Sequence, residues 1–393
     1  MSDSKKKVVI VGGGFAGRTA RRLLSKTFDV TLIDAKGYFE YVPSSLRSLV
    51  EPSHARTIVT PHPADVLVGK VVKITQGKVE LSSGMEVSFD YCLICTGSSY
   101  TPPIKSDAVL ESSVGERCEE YDAAHQTLKQ AKRVIIVGGG TVGVELAAEI
   151  VGTWGSRKEV TLISSIDRLL ARMPVKAGLF AAEWLQSKSV RLILEERIDD
   201  WSASSPSGAP VCLTTDQGRT VEGDLLYKCI GFTPCSEFLD LEDGAKMESV
   251  EFGKGNKPAP IPVRQTLQVT GWDNVFSVGD CSNTPEEKTA LAADLAARVA
   301  CKNIVCLSQG AADLLKFPEA ICHGSAVPEI VDVSLYKYNG IVQFKQYILT
   351  GIIAGIMKWS IEFIQLCLAR EWVLLVFGWE ICEKIMVYLL KFL

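Results

Sequence analysis

The chain has 393 residues, 47% of them hydrophobic, and a formal net charge of −4. That length holds two or three domains, and the apolar content is ample for buried parallel sheets. The acidic balance excludes a nucleic-acid surface as the main function, and twelve cysteines scattered along the chain suit a reducing compartment.

Lys5-Lys6-Lys7 precedes an apolar run with the look of a signal core. The run leads directly into a glycine turn, so it reads as the first strand of a fold, with no secretory signal. Ser2 stands where an N-myristoylation signal needs glycine. The strand and turn, Val9-Ile10-Val11-Gly12-Gly13-Gly14-Phe15-Ala16-Gly17, form a dinucleotide-binding fingerprint. Its first glycine permits the tight turn, its second lets backbone approach a pyrophosphate, and its third lets helix pack on strand. The pyrophosphate then rests on the helix N-terminus, where free N–H groups and the macrodipole favour negative charge. The next strand ends in Asp34, whose carboxylate accepts hydrogen bonds from a ribose diol and repels a 2′-phosphate. Asp34 therefore suits the adenosine ribose of FAD.

Lys78 to Leu81 and Glu86 to Phe89 read as strands of a small antiparallel excursion. A buried strand, Tyr91-Cys92-Leu93-Ile94-Cys95, then closes the first part before Thr96-Gly97. Cys92 and Cys95 have redox-motif spacing. Positions three apart on a strand point to opposite faces and lie roughly 10 Å apart, too far for a disulfide.

The fingerprint recurs as Ile135-Ile136-Val137-Gly138-Gly139-Gly140-Thr141-Val142-Gly143. Two copies imply two dinucleotides on one chain, and hence electron transfer between them. Here the following strand ends in Ser164, which removes the carboxylate's repulsion and admits NADPH as well as NADH. Arg157, Lys158 and Arg168 lie near Ser164 in sequence. Glu145 falls in the first turn of the second helix, where a carboxylate either reaches toward the nicotinamide or is simply favoured by the helix N-terminus. Ser202 to Pro210 reads as a loop, and Leu225 to Gly231 closes the second part. Trp272 to Asp280 is a further buried strand ending in Gly-Asp, expected to rejoin the first sheet and so make the second domain an insertion. On its own, Lys288 within Glu286-Glu287-Lys288 reads as a surface charge.

From Ile341 the chain becomes more apolar, but its longest uncharged run, Gln346 to Met357, falls short of the ~20 residues a spanning helix needs. On a helical wheel for Trp359 to Leu393, Glu362, Glu380, Glu383, Lys384 and Lys391 share one side, Arg370 lies at its margin, and Glu371 lies opposite. Trp372 and Trp379 sit near the polar boundary. The tail reads as a monotopic amphipathic region lying in a membrane interface. A core-packing or dimerising helical hairpin is the other reading.

Together the two glycine turns, Thr96-Gly97, the Ile230-Gly231-Phe232-Thr233-Pro234 strand end and Val278-Gly279-Asp280 resemble the two-dinucleotide flavoprotein disulfide-reductase superfamily. Val9 to Gly17, Asp34-Ala35-Lys36, Ser45-Leu46-Arg47 and Val142 to Ile150 resemble, more closely, the ferroptosis suppressor proteins. These are AIF-like, mitochondrion-associated NAD(P)H:ubiquinone reductases related to type II NADH dehydrogenases. The resemblance covers roughly residues 7–345. It implies FAD, or a modified flavin such as 6-hydroxy-FAD, held by Gly12, Gly13, Gly14, Phe15, Ala16, Gly17, Asp34, Arg47, Val71, Thr96, Gly97 and Asp280. Gly138, Gly140, Gly143 and Ser164 fall to the exchanging NADH or NADPH. Glu145 and Lys288 are implied as residues steering nicotinamide or quinone. Departures are Ser2, where the animal proteins carry a myristoylated glycine, and the chain after about Phe344.

The expected fold is α/β, with two Rossmann-like dinucleotide-binding domains, the second inserted in the first, and a helical membrane-associating C-terminal tail. Residues 1–110 and 262–330 are assigned to FAD, 111–261 to NAD(P)H and 331–393 to the membrane. The expected activity is hydride transfer from NAD(P)H to flavin and two electrons onward to a ubiquinone-type quinone, in support of lipid antioxidant protection. Rival readings are a ferredoxin or rubredoxin reductase and an AIF-like signalling protein with a structural flavin. No metal and no nucleic acid are expected. A homodimer is compatible with the sequence. The expected location is the cytoplasmic side of a lipid droplet, plasma membrane or mitochondrial outer membrane.

Overall fold

The computed structural model describes residues 5–75, 77–106, 112–201, 210–238, 258–321 and 329–370. The Ser202 to Pro210 loop, except its last residue, and the tail beyond Arg370, with Glu371, Trp372, Trp379, Glu380, Glu383, Lys384 and Lys391, lie outside them.

Five parallel strands form the first sheet, in the order Val275–Ser277, Tyr91–Ile94, Lys7–Val11, Asp29–Asp34, Leu67–Val68. At its centre Val8 to Val11 and Tyr91–Ile94 are buried throughout, as expected where helices or other layers cover both faces. The strand before Gly279-Asp280 is thus an outer strand of the sheet begun at Lys7. The excursion is present as an antiparallel three-stranded sheet, Val71–Thr75, Lys78–Leu81 and Glu86–Ser88.

The second sheet has four parallel strands, Arg191–Ile193, Glu159–Ile163, Arg133–Val137 and Leu225–Lys228. A short antiparallel ribbon, Ser98–Ser99 with Thr233–Pro234, joins the segments that leave the two sheets. Arg172 Nη1 reaches across to Glu287 Oε2 at 3.0 Å.

Cys92 and Cys95 belong to different apolar clusters on opposite faces of the first sheet. Burial pushes both thiols above their ordinary pKa, and the described cysteines are all free. The spacing is a consequence of strand geometry.

Residues 330–351 form an antiparallel meander, Ile330–Leu335, Asn339–Phe344 and Tyr347–Gly351, before the helix Ile352–Ala369 begins. The sequence reading did not separate this meander from the helical tail. The helix is apolar outward and charged inward. Ile353 is 63% exposed and Trp359 59%, whereas Lys358 is 8% and Glu362 6% exposed. Lys358 and Glu362 are one turn apart and share the face that docks on the protein.

Candidate functional site

The two glycine turns have the same construction. Gly12 and Gly138 have φ of +106° and +127°, and a Cβ on either would fall 2.4 and 2.2 Å from the carbonyl oxygens of Cys95 and Cys229. A Cβ on Gly17 or Gly143 would fall 1.8 or 1.9 Å from the oxygen of Gly12 or Gly138. Those approaches seat the helices Phe15–Leu24 and Thr141–Trp154 against their strands. At Gly14 and Gly140, by contrast, a Cβ would meet nothing within 4 Å. Each cradle is therefore open directly over a helix N-terminus, where a pyrophosphate fits.

Asp34 and Ser164 occupy equivalent places. Asp34 is buried; its Oδ2 accepts from Gly13 N at 2.5 Å and its Oδ1 from Lys36 N at 2.8 Å. Burial pushes its carboxyl up, but His62 and Lys36 outweigh that and hold it below its ordinary value. His62, with Nε2 at 3.6 Å from Asp34 Oδ2, is a site residue that the sequence reading missed. Its one signal is its fixed setting between Pro61 and Pro63. At Ser164 the oxygen accepts from Ile166 N at 3.3 Å. The three nearby cations are engaged elsewhere. Arg157 bonds the carbonyls of Trp154 and Thr153, Lys158 those of Leu128, Lys129 and Ala131, and Arg168 those of Met173 and Ala171.

Apart from Arg47, the remaining residues assigned to FAD divide between three places. Phe15 and Ala16 open the first helix, with Phe15 edge-on to Phe39 and Tyr41. Val71 starts the antiparallel excursion and is buried. Thr96 Oγ1 donates to Cys235 O at 2.5 Å, and Gly97 O accepts from Cys235 N at 3.0 Å. Asp280 Oδ2 accepts from Ser98 Oγ at 2.7 Å, and Lys105 Nζ donates to Ser98 O and Oγ. Ser98 and Lys105 were not singled out from sequence.

Lys288 is not the surface charge its local sequence suggests. Its Nζ donates to Thr284 O and Oγ1 at 2.8 and 2.9 Å. Burial lowers its pKa, opposed by Glu286 and Asp280.

Glu145 and Arg47 come together in a separate, narrow cleft, lined also by Glu149, Ser334, Tyr336, Lys337, Lys358, Trp359 and Glu362. Glu145 Oε1 accepts from Ser334 N at 2.7 Å, from Ser334 Oγ at 3.1 Å and from Lys358 Nζ. Arg47 Nη2 lies 3.4 Å from Glu149 Oε1. Among the described residues, Arg47 Nε and Glu149 Oε2 are buried without a hydrogen-bond partner. Burial raises the Glu149 carboxyl, opposed by Arg47. Glu362 Oε2 accepts from Ser44 Oγ at 2.5 Å, and Glu362 Oε1 lies 3.2 Å from His54 Nε2. One cleft thus gathers side chains from the Arg47 helix, the second fingerprint helix, the meander and the C-terminal helix. Its groups can donate to and accept from a polar ring, and can hold a proton out of bulk water. Lys358 was invisible to the sequence reading, because its partner Glu145 is 213 residues away.

Comparison with known proteins agrees with this geometry. Residues 6–295 match the pyridine nucleotide-disulphide oxidoreductase family. The chain is 30% identical over 375 residues to apoptosis-inducing factor homolog B of Dictyostelium discoideum, covering 90% of this chain and 93% of that protein. It is 34% identical over 315 residues to ferroptosis suppressor protein 1 of Xenopus tropicalis, covering 77% and 81%. In fold it resembles the sulfide:quinone oxidoreductase of Aquifex aeolicus, with a TM-score of 0.71, 18% identity and coverage of 93% and 91%. It also resembles NDH2 of Plasmodium falciparum, solved with NADH, with a TM-score of 0.67, 14% identity and coverage of 92% and 94%. The chain belongs to the pyridine nucleotide-disulphide oxidoreductase family, and within it groups with the apoptosis-inducing factor homologues and ferroptosis suppressor proteins.

Proposed function

We propose that this NAD(P)H-dependent flavin oxidoreductase delivers its electrons to a membrane quinone of the ubiquinone type. The observation that carries the reading is the inverted C-terminal helix. Its charged face closes over Glu145, while Ile352, Ile353, Ile356 and Phe363 are exposed together with Trp359, which also lines the cleft. A quinone dissolves in lipid, and an apolar face next to a polar cleft suits an acceptor arriving from a bilayer. A ferredoxin would instead need a charged docking face.

In this reading residues 1–110 and 262–330 hold FAD, 111–261 hold NADH or NADPH, and 331–393 meet the membrane. Gly12 to Gly17, Asp34 and Asp280 bind the resident cofactor, joined by Arg47, Val71, Thr96 and Gly97. Gly138, Gly140, Gly143 and Ser164 bind the exchanging one. When bound, FAD supplies two-electron chemistry between NAD(P)H and quinone. The chain's own residues align the partners, exclude water and position protons, with Glu145 and Lys358 at the cleft and Lys288 beside Asp280. The attachment is monotopic, on the cytoplasmic face of a lipid droplet, plasma membrane or mitochondrial outer membrane, and the product supports lipid antioxidant protection.

The test is rapid-mixing reduction of FAD-loaded protein by NADH and NADPH, followed by reoxidation with ubiquinone analogues. Fast reduction and quinone-dependent reoxidation are expected, slowed in Glu145→Gln and Lys288→Ala. Reoxidation no faster with quinone than with buffer alone defeats the proposal.

A further inference from the structure

Under the FAD assignment proposed above, the order of strands in the first sheet gives the cofactor its direction. Asp34 ends the strand on one side of Lys7–Val11, and Asp280 follows the strand two places away on the other side. With the adenosine ribose at Asp34 and the pyrophosphate on Gly12 to Gly17, the flavin half extends across the C-terminal edge over Thr96 to Ser98 toward Asp280. Two strand spacings amount to about 10 Å, a distance that the diphosphate and ribityl chain together cover.

One cation is built into that path. Lys105 Nζ donates to Ser98 O at 2.7 Å and to Ser98 Oγ at 2.9 Å, and Ser98 Oγ passes a hydrogen bond on to Asp280 Oδ2 at 2.7 Å. Ser98 is itself fixed by the ribbon with Thr233–Pro234. Burial disfavours the charge on Lys105, and Asp280 supports it. The neighbouring cation, Lys288, is turned to Thr284. The Ser98 relay is more than Asp280 needs to hold a ribityl hydroxyl, and it places a half-buried ammonium at the flavin end of the site.

We propose that Lys105, held in place by Ser98 and Asp280, is the cation that raises the reduction potential of the bound flavin. The inference rests on the FAD assignment above. Two-electron reduction adds negative charge to the pyrimidine edge of a flavin. An ammonium fixed nearby in a partly desolvated site favours that state over the neutral oxidised ring. The same charge favours sulfite addition to the ring, which also loads that edge with negative charge.

The experiment compares full-length wild type, Lys105→Met, Lys105→Arg and Ser98→Ala, each saturated with FAD and checked for bound flavin by absorbance. The readouts are the midpoint potential against redox dyes and the dissociation constant for sulfite. Lys105→Met is expected to move the midpoint to more negative values and to weaken sulfite binding about tenfold. Lys105→Arg stays near wild type, and Ser98→Ala falls between. An FAD-loaded Lys105→Met with unchanged potential and sulfite affinity overturns the proposal. So does loss of FAD from Lys105→Met while Ser98→Ala keeps the parental potential, since that assigns Lys105 to phosphate binding. A wild type that holds no FAD fails at the absorbance step, and then the flavin assignment itself falls.

Discussion

Glu145 and Lys358 meet where neither charge could remain buried alone. Removing one partner leaves the other uncompensated, which typically costs about 3–5 kcal/mol, whereas replacing both with neutral groups costs far less. Urea denaturation should therefore show Glu145→Gln and Lys358→Met each strongly destabilising and the double variant much less so than their sum. Additive effects would refute the coupling. Asp34 gives a second prediction, with a sign set by its lowered pKa. A carboxyl held below its ordinary value of 3.8 contributes stability that is present above that pH and lost as pH falls through the folded value. Asp34→Asn should lose this contribution at neutral pH and show a shallower acid limb in the same denaturation assay. The equivalent positions of Asp34 and Ser164 at the ends of their strands were legible from sequence, because each sits at a fixed offset from a glycine turn. Lys358, His62 and Lys105 were not, because their roles depend on partners brought by the tertiary fold.

The helix Ile352–Ala369 shows what a helical wheel can and cannot give. The wheel groups the charges on one side, but it does not say whether water or protein covers that side. Here protein covers it, through Glu145, Ser334, Ser44 and His54. The apolar side is left open, with Trp359 and Phe363 stacked at 5.8 Å. Replacing Ile353, Ile356 and Phe363 together by serine removes burial of roughly 1.5–3 kcal/mol per fully inserted side chain. Co-sedimentation with lipid vesicles should fall more than tenfold while the thermal midpoint holds, because these residues contribute little to the core. Undiminished vesicle binding would remove the helix from the membrane contact. The meander ahead of the helix escaped the sequence reading because its second and third strands merge with the apolar run from Ile341.

Across the whole molecule, two sheets present two glycine turns of one design, and both were readable because the same phrase occurs twice. The roles of the copies are separable by one substitution in each. Gly17→Val and Gly143→Val both drive a side chain into backbone, at a cost of about 1–3 kcal/mol or more. Gly17→Val should lose FAD on gel filtration. Gly143→Val should keep FAD but lose rapid reduction by NAD(P)H. The opposite pattern would exchange the two assignments. The joint between the halves was not legible: the ribbon at Ser98–Ser99 and the Arg172–Glu287 bridge pair residues far apart in sequence.

The inverted helix also sets an order of events during synthesis. Its inward partners, Ser44, His54, Glu145 and Ser334, all precede it in the chain. The receiving surface can therefore be folded before Lys358 and Glu362 leave the ribosome. Docking then covers Lys358 with Glu145 and Ser334, and Glu362 with Ser44 and His54. Once they dock, only the apolar side remains to be covered. In the membrane-bound enzyme proposed above, the completed fold therefore sets which side of the helix, and in which orientation, is offered to the bilayer.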